Sequence, residues 1–181
     1  GCTLDPATHE VKAPKGFKEA YAKYVEGGWA ALSCDPAYGG QGLPLTVSMA
    51  ALEIWNSCSL AFGLCPTLTS GAVEAINAHA SDELKDRYLP KMISGEWTGT
   101  MNLTEPHAGS DLAVIRTRAQ PAGDHYKLFG QKIFITYGEH DMADNIVHLV
   151  LARIDGSPPG VKGISLFVVP KRLPDAQNAP G

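Results

Sequence analysis

An α+β chain, helical in its first part and built of strands in its second, is the fold class that the sequence predicts. Three observations carry it: apolar residues recur at helical spacing as far as Glu96, the period falls to two beyond it, and the two kinds of segment are segregated rather than alternating. A boundary after Glu96 follows, with a helical domain over 1–96 and a β domain over 97–181. The chain has 181 residues, 44% of them hydrophobic and 19% charged, which is enough apolar surface to bury a core.

Phe17, Tyr21, Tyr24 and Val25 share one helical face, and their helix is expected to stop near Leu32. Ser33 to Gly42 holds a proline and paired glycines, so it reads as a loop. Pro44 suits the first residue of a helix running to about Ser57. After Cys65-Pro66, the small residues Thr69, Ser70, Gly71, Ala72, Ala75 and Ala78 predict a helix packed closely on a neighbour. Ser81 reads as the N-cap of the next, Asp82 and Glu83 complement its dipole, and Pro90 is expected to cut it short. Beyond it, Trp97–Leu103, Val114–Ala119, Tyr126–Phe129, Lys132–Tyr137, Asn145–Arg153 and Ile164–Val169 are short β-branched and aromatic runs between turn residues. They predict a sheet or barrel in which Ile164–Val169 is the last strand.

Composition excludes several classes of function. A net charge of −4 with no block of like charges is poorly suited to gripping nucleic acid or anionic lipid. Apolar stretches such as Ile146 to Ile154 are interrupted by His148 and Arg153, and all fall well short of the roughly 20 residues a bilayer needs. The first residues have neither the basic nor the apolar region of a signal peptide. Cys2, Cys34, Cys58 and Cys65 show no C-x-x-C spacing, which fits reduced thiols, and Cys58 and Cys65 are expected to be buried. Gly1 in place of an initiator Met, and a last strand followed by no closing element, suggest a piece of a longer polypeptide.

The segment Met101-Asn102-Leu103-Thr104-Glu105-Pro106-His107-Ala108-Gly109-Ser110-Asp111 carries the most chemistry. It starts as a strand, breaks at Pro106 and gathers backbone N–H groups and hydroxyls on one concave turn. Such a turn binds anions or electron-rich edges, and it reads equally as an ordinary β-turn closed by Ser and Asp. A second segment, Gly130 to Gly138, is expected to be an alternating strand with Phe134 and Thr136 on one face. Glu105 before Pro106 is expected to fix the turn rather than to titrate. Glu139, His140, Asp141 and Asp144 lack metal-ligand spacing and read as a solvated loop, so no metal site is expected.

Tyr38-Gly39-Gly40-Gln41-Gly42, Leu103-Thr104-Glu105-Pro106 with Gly109-Ser110-Asp111 and Thr117, and Gly130-x-Lys132 leading to Phe134-Ile135-Thr136 together resemble the acyl-CoA dehydrogenase family of flavoproteins. Within that family, Glu96 to Asn102 and Thr136 to Asp141 are most similar to the 3-methylmercaptopropionyl-CoA dehydrogenases. The resemblance implies a helical N-terminal domain, a β middle domain and a C-terminal helical domain that is missing here, with FAD between the last two. It implies an oxidoreductase that takes an acyl-CoA to its trans-2-enoyl form, an electron-transfer flavoprotein as acceptor, and a homo-oligomer, dimer or tetramer. The implied location is the bacterial cytoplasm or the mitochondrial matrix, with neither membrane nor nucleic acid as partner.

Carried over residue by residue, the resemblance puts Met101, Leu103 and Thr104 at the flavin ring and Gly109 at a close approach to the cofactor. Ser110 would bridge the FAD pyrophosphate or the pantetheine arm of the substrate. Phe134, Ile135 and Thr136 would lie at the ring face and its N5 region. Two positions depart from the family: Phe134 stands where Trp is common, and Tyr137 where Asn or Ser is common. The family's catalytic base lies in the C-terminal domain, beyond Gly181, so no residue here is assigned that role. An acyl-CoA oxidase or flavin monooxygenase of the same superfamily, or a non-catalytic acyl-CoA- or DNA-binding relative, would share these motifs.

Overall fold

The computed structural model describes residues 1–174. Residues 175–181, counted in the expected β domain, lie outside the described residues. Four α-helices precede most of the strands, as the segregated pattern predicts: α1 (Phe17–Glu26), α2 (Leu45–Cys58), α3 (Leu60–His79) and α4 (Asp82–Ser94). The strands are β1 (Thr3–Leu4), β2 (Val11–Lys12), β3 (Trp97–Asn102), β4 (Arg118–Ala122), β5 (His125–Phe129), β6 (Asn145–Ile154) and β7 (Ile164–Pro170). β1 and β2 form a small antiparallel hairpin that the sequence pattern misses, because two residues per strand are too few to show a period.

Several helix boundaries differ from expectation, each for a local reason. α1 stops at Glu26 rather than near Leu32, because Gly27 and Gly28 follow it and Gly28 is left-handed at φ 69°. The chain resumes as a single 3-10 turn over Trp29–Ala31. Pro44 is the N-cap of α2 rather than its first residue. Pro66 does not precede a helix but sits inside α3, which starts at Leu60 behind the Ser59 cap. Phe62, Cys65, Pro66 and Thr69 are all buried, and that packing carries the helix through a residue that would otherwise break it. Pro90 likewise lies inside α4, flanked by buried Tyr88, Leu89, Met92 and Ile93, and the helix ends instead at left-handed Gly95.

The loop from Ser33 to Gly42 owes its glycines to space. A Cβ on Gly40 would lie 2.0 Å from the Cys34 carbonyl oxygen, and Gly39 ends a 3-10 turn over Pro36–Tyr38 at φ 93°. Only glycine permits that return of the chain on itself.

Contacts divide the chain into two units. The first comprises Gly1–Thr100, Thr136–Val147 and the described residues from Pro170, and the second comprises Met101–Ile135 and His148–Val169. The core of the first joins Tyr21, Phe62, Cys65 and Met142, with Phe17, Tyr24, Val25 and Tyr137 packed against them. Two of its buried hydroxyls are bonded: the Tyr21 hydroxyl donates to the Gly95 carbonyl at 2.8 Å, and that of Thr69 accepts from the Gly99 amide at 3.0 Å. His140 is buried, its Nε2 3.0 Å from the Thr98 hydroxyl while Nδ1 accepts from the Met142 amide. Cys65 is buried and burial pushes its thiol up to about 12, whereas Cys58, expected to be buried with it, is exposed.

Strand order in the larger sheet is β3-β6-β4-β5, with β7 also paired to β6. β4 and β5 form an antiparallel hairpin in the second unit, closed by Gly123 and Asp124, and β4 runs parallel to the end of β6. Two strand expectations are corrected. Val114–Ala119 is displaced, since Leu112–Val114 forms a 3-10 turn and the strand begins at Arg118. Lys132–Tyr137 is not a strand at all: Phe134 and Tyr137 have positive φ, 57° and 54°, which twists the backbone out of the extended form. Phe134 and Thr136 therefore do not share a strand face, and Phe134 is 87% exposed.

Candidate functional site

The Thr104-to-Asp111 segment begins two residues after β3 ends, where the chain leaves the ladder and its polar groups need other partners. Glu105 and Ala108 bond each other's backbone in both directions, at 2.9 and 3.0 Å, closing the turn around Pro106 and His107. The Asp111 side chain accepts from the Ala113 amide and caps the 3-10 turn that follows. Gly109 and Thr104 adjoin: a Cβ on Gly109 would stand 3.9 Å from Thr104 Cγ2, ordinary contact, so an alanine would fit there.

Glu105 is 3% exposed, and its carboxylate accepts four hydrogen bonds. One oxygen accepts from the Arg116 amide at 2.7 Å, and the other from the Thr117 amide, the Thr117 hydroxyl and Lys132 Nζ, the last at 2.8 Å. Lys132 also donates to the Leu103 carbonyl at 3.0 Å, and the Ile133 amide donates to the Thr104 carbonyl at 3.0 Å. Residues 132–133 thus lie along residues 103–105. Burial alone would raise the Glu105 pKa; the Lys132 ammonium, the Thr117 hydroxyl and the two amides outweigh it and hold the acid down at about 2. That fits a structural anion rather than a catalytic acid, as the sequence suggests.

A pH dependence follows. The folded chain keeps Glu105 ionised to about pH 2, while an unfolded carboxyl takes its proton near 4.5. As the pH falls between those values the unfolded state binds the extra proton, so stability present above 4.5 is progressively lost, by on the order of 3 kcal/mol. Urea titrations from pH 6 to pH 2.5 are expected to show this slope in the natural protein and a flatter one in Glu105→Gln.

The predicted residues divide by what the structure does with them. Leu103, Thr104 and Gly109 come together with the Lys132–Ile135 segment. Thr104 is half-buried, and among the described residues its hydroxyl makes no hydrogen bond. Met101 and Ile135 are half-buried, whereas Ser110, Phe134 and Thr136 are exposed. Lys132 is the residue to which sequence reasoning gave no role; a lysine at the head of the apolar run Ile133-Phe134-Ile135 was the available signal. In the helical unit, Phe17, Tyr24, Trp29, Trp55 and Phe62 line an apolar cavity of about 590 Å³ that holds none of the predicted site residues. Among the described residues no group of three His, Cys, Asp or Glu is placed to hold a metal, and no helix is long and apolar enough to cross a membrane.

Comparison with known proteins bears on this arrangement. Residues 3–96 match the model of the acyl-CoA dehydrogenase N-terminal domain, and residues 100–180 match that of the middle domain. The chain belongs to the acyl-CoA dehydrogenase family. Among family members, it is 56% identical over 164 residues to the 3-methylmercaptopropionyl-CoA dehydrogenase of Ruegeria pomeroyi, covering 90% of this chain and 28% of that one. It is similar to the crystal structure of the acyl-CoA dehydrogenase of Geobacillus kaustophilus, with a TM-score of 0.73 and 34% identity, over 90% of this chain and 41% of that one. A third likeness is to the acyl-CoA dehydrogenase of Bacillus anthracis complexed with FAD, with a TM-score of 0.72 and 28% identity, over 86% and 25%. The chain therefore spans about a quarter to two-fifths of the length of these relatives.

Proposed function

We propose that this chain supplies the flavin-binding side of an FAD-dependent acyl-CoA dehydrogenase. The observation that carries the reading is the donor set of residues 103–104. Both carbonyls are taken, by Lys132 and by the Ile133 amide, while the Thr104 hydroxyl is unengaged among the described residues. What remains to face a ligand is the Thr104 hydroxyl, which can donate, with the backbone N–H groups of Leu103 and Thr104, which can only donate and make no hydrogen bond among the described residues. This set fits the electron-rich N1/O2 edge of a flavin and the negative charge that edge gains on reduction. FAD held there would supply a hydride acceptor for oxidation of the substrate's Cα–Cβ bond to the trans-2-enoyl thioester, the α-proton going to a carboxylate base. That base is assigned to a part of the protein beyond Gly181.

In this reading Met101, Leu103 and Thr104 hold the ring, with Phe134, Ile135 and Thr136 at its face. Gly109 lets the cofactor approach, and Ser110, exposed at the same turn, binds the pyrophosphate or the pantetheine arm. The 56% identity to an enzyme of a short thioether acyl-CoA supports a substrate of that class, 3-methylthiopropanoyl-CoA. An electron-transfer flavoprotein is the proposed acceptor and a homo-oligomer the proposed assembly. The full-length protein is expected to purify yellow, to bleach when the acyl-CoA is added without oxygen, and to be reoxidised by an electron-transfer flavoprotein. Rapid reoxidation by oxygen would assign it instead as an oxidase.

Thr104→Val in the full-length protein is expected to weaken FAD binding or lower the flavin potential. A hydrogen bond to a charged acceptor contributes about 1.5–3 kcal/mol, equivalent to roughly tenfold to hundredfold in affinity. Unchanged affinity together with an unchanged potential would remove Thr104 from the site.

A further inference from the structure

We propose that Glu105 and Lys132 are positioning residues that lock Thr104 and the Ile133–Ile135 backbone into one rigid platform for the flavin; this rests on the function proposed above. Lys132 Nζ reaches the Leu103 carbonyl on one side of Thr104 and the Glu105 carboxylate on the other, at 3.0 and 2.8 Å. Between those two anchors the Thr104 carbonyl is held by the Ile133 amide. Three bonds from two consecutive residues thus converge on a three-residue stretch, and they leave the Thr104 hydroxyl and the Leu103 and Thr104 amides unengaged among the described residues.

The far side of the carboxylate is fixed as well. Glu105 accepts from Arg116 and from both donors of Thr117, so Lys132 is tied to a point that cannot slide along the chain. The Glu105–Ala108 bridge then hands this order on to Gly109 and Ser110.

Stability alone does not account for such a pair. The side chains of Glu105 and Lys132 are 2% and 9% exposed, and burying two charges costs desolvation that well-packed apolar residues would avoid. What an ion pair provides that a Leu–Met contact does not is direction: the ammonium points its protons at two named oxygens and sets the register of residues 132–135 on residues 103–105. Phe134 depends on that register. It stands 87% exposed with φ 57° on a segment that has no strand ladder to hold it.

The test separates positioning from stability by removing both charges at once. In the full-length protein, Lys132→Met leaves a buried carboxylate without its ammonium, with His107 Nε2 3.5 Å from its other oxygen, whereas the double variant Glu105→Gln/Lys132→Met removes both charges and is close in shape. The double variant is expected to recover part of the melting temperature lost by Lys132→Met, since the charge is gone but the side-chain amide that replaces the carboxylate can accept from only one of the Arg116 and Thr117 backbone N–H groups. It is also expected to bind FAD at least tenfold more weakly than the natural protein and to show a shifted visible spectrum of the bound flavin. In the FAD-free protein, amide exchange at Ile133 should rise at least tenfold in the double variant. A double variant with natural FAD affinity, natural flavin spectrum and natural Ile133 protection would overturn the proposal and leave the functional reading intact. A full-length natural protein that takes up no FAD would overturn both.

Discussion

Lys132→Met is expected to destabilise the protein by about 3–5 kcal/mol, the cost of leaving one partner of a buried ion pair uncompensated. The lysine side chain is 9% exposed and the carboxylate it faces 2%, so water does not replace what the ammonium supplies. Loss of Lys132 also frees the Leu103 carbonyl, a part-buried acceptor left without its donor. Thermal and urea unfolding of the natural protein and the variant at pH 7 measure the difference. A loss below about 1 kcal/mol, the range of an exposed pair, would show that this pair is solvated. Acid should partly rescue the variant, because protonating Glu105 removes the stranded charge, while the natural protein moves the other way between pH 4.5 and about 2.

Much of that site was legible in the sequence, and the missing part is the part that depends on distance along the chain. Thr104-Glu105-Pro106 and Gly109-Ser110-Asp111 announce a turn through their residue types, and the structure closes a turn there through Glu105 and Ala108. The partnership of Glu105 with Lys132 crosses 27 positions, and no local propensity encodes it. The same limit explains the strand expected over Lys132–Tyr137. Alternation in Ile133-Phe134-Ile135-Thr136 is a genuine β pattern, but a strand also needs a neighbour to pair with. Here Ile133 spends its amide on a turn carbonyl rather than on a ladder, and the backbone twists at Phe134 and Tyr137.

The helices show the reverse balance. Ser59 and Ser81 act as caps through their side chains, and the serine at 81 was readable because two acids follow it. Propensity makes Pro90 a break and starts a helix only after Pro66, since it charges about 3 kcal/mol for proline within a helix. Burial of the neighbouring side chains outweighs that figure at both positions. Propensity is local, and the packing that overrides it comes from residues far away in the sequence.

Trp97→Ala is the second change expected to have a large effect, about 3–5 kcal/mol for truncating a fully buried aromatic. Trp97 opens β3 at 1% exposure, and its ring lies 6.2 Å from that of Tyr88, itself buried on α4. Two residues further on, Gly99 has no room for a side chain, since a Cβ there would come within 2.6 Å of Ala72 Cβ and 2.9 Å of Met92 Cε. β3 is thus pressed onto α3 and α4 with little freedom to collapse into a void, and a cavity that cannot close carries the full penalty. The strand leads within seven residues to Thr104, so its looser seating is expected to raise amide exchange through Thr98, Gly99 and Thr100 before global unfolding. Urea denaturation with hydrogen exchange read residue by residue measures both effects. A loss under about 1.5 kcal/mol, with unchanged protection at Thr98 to Thr100, would show that the helices relax into the space and that β3 is held by its ladder alone.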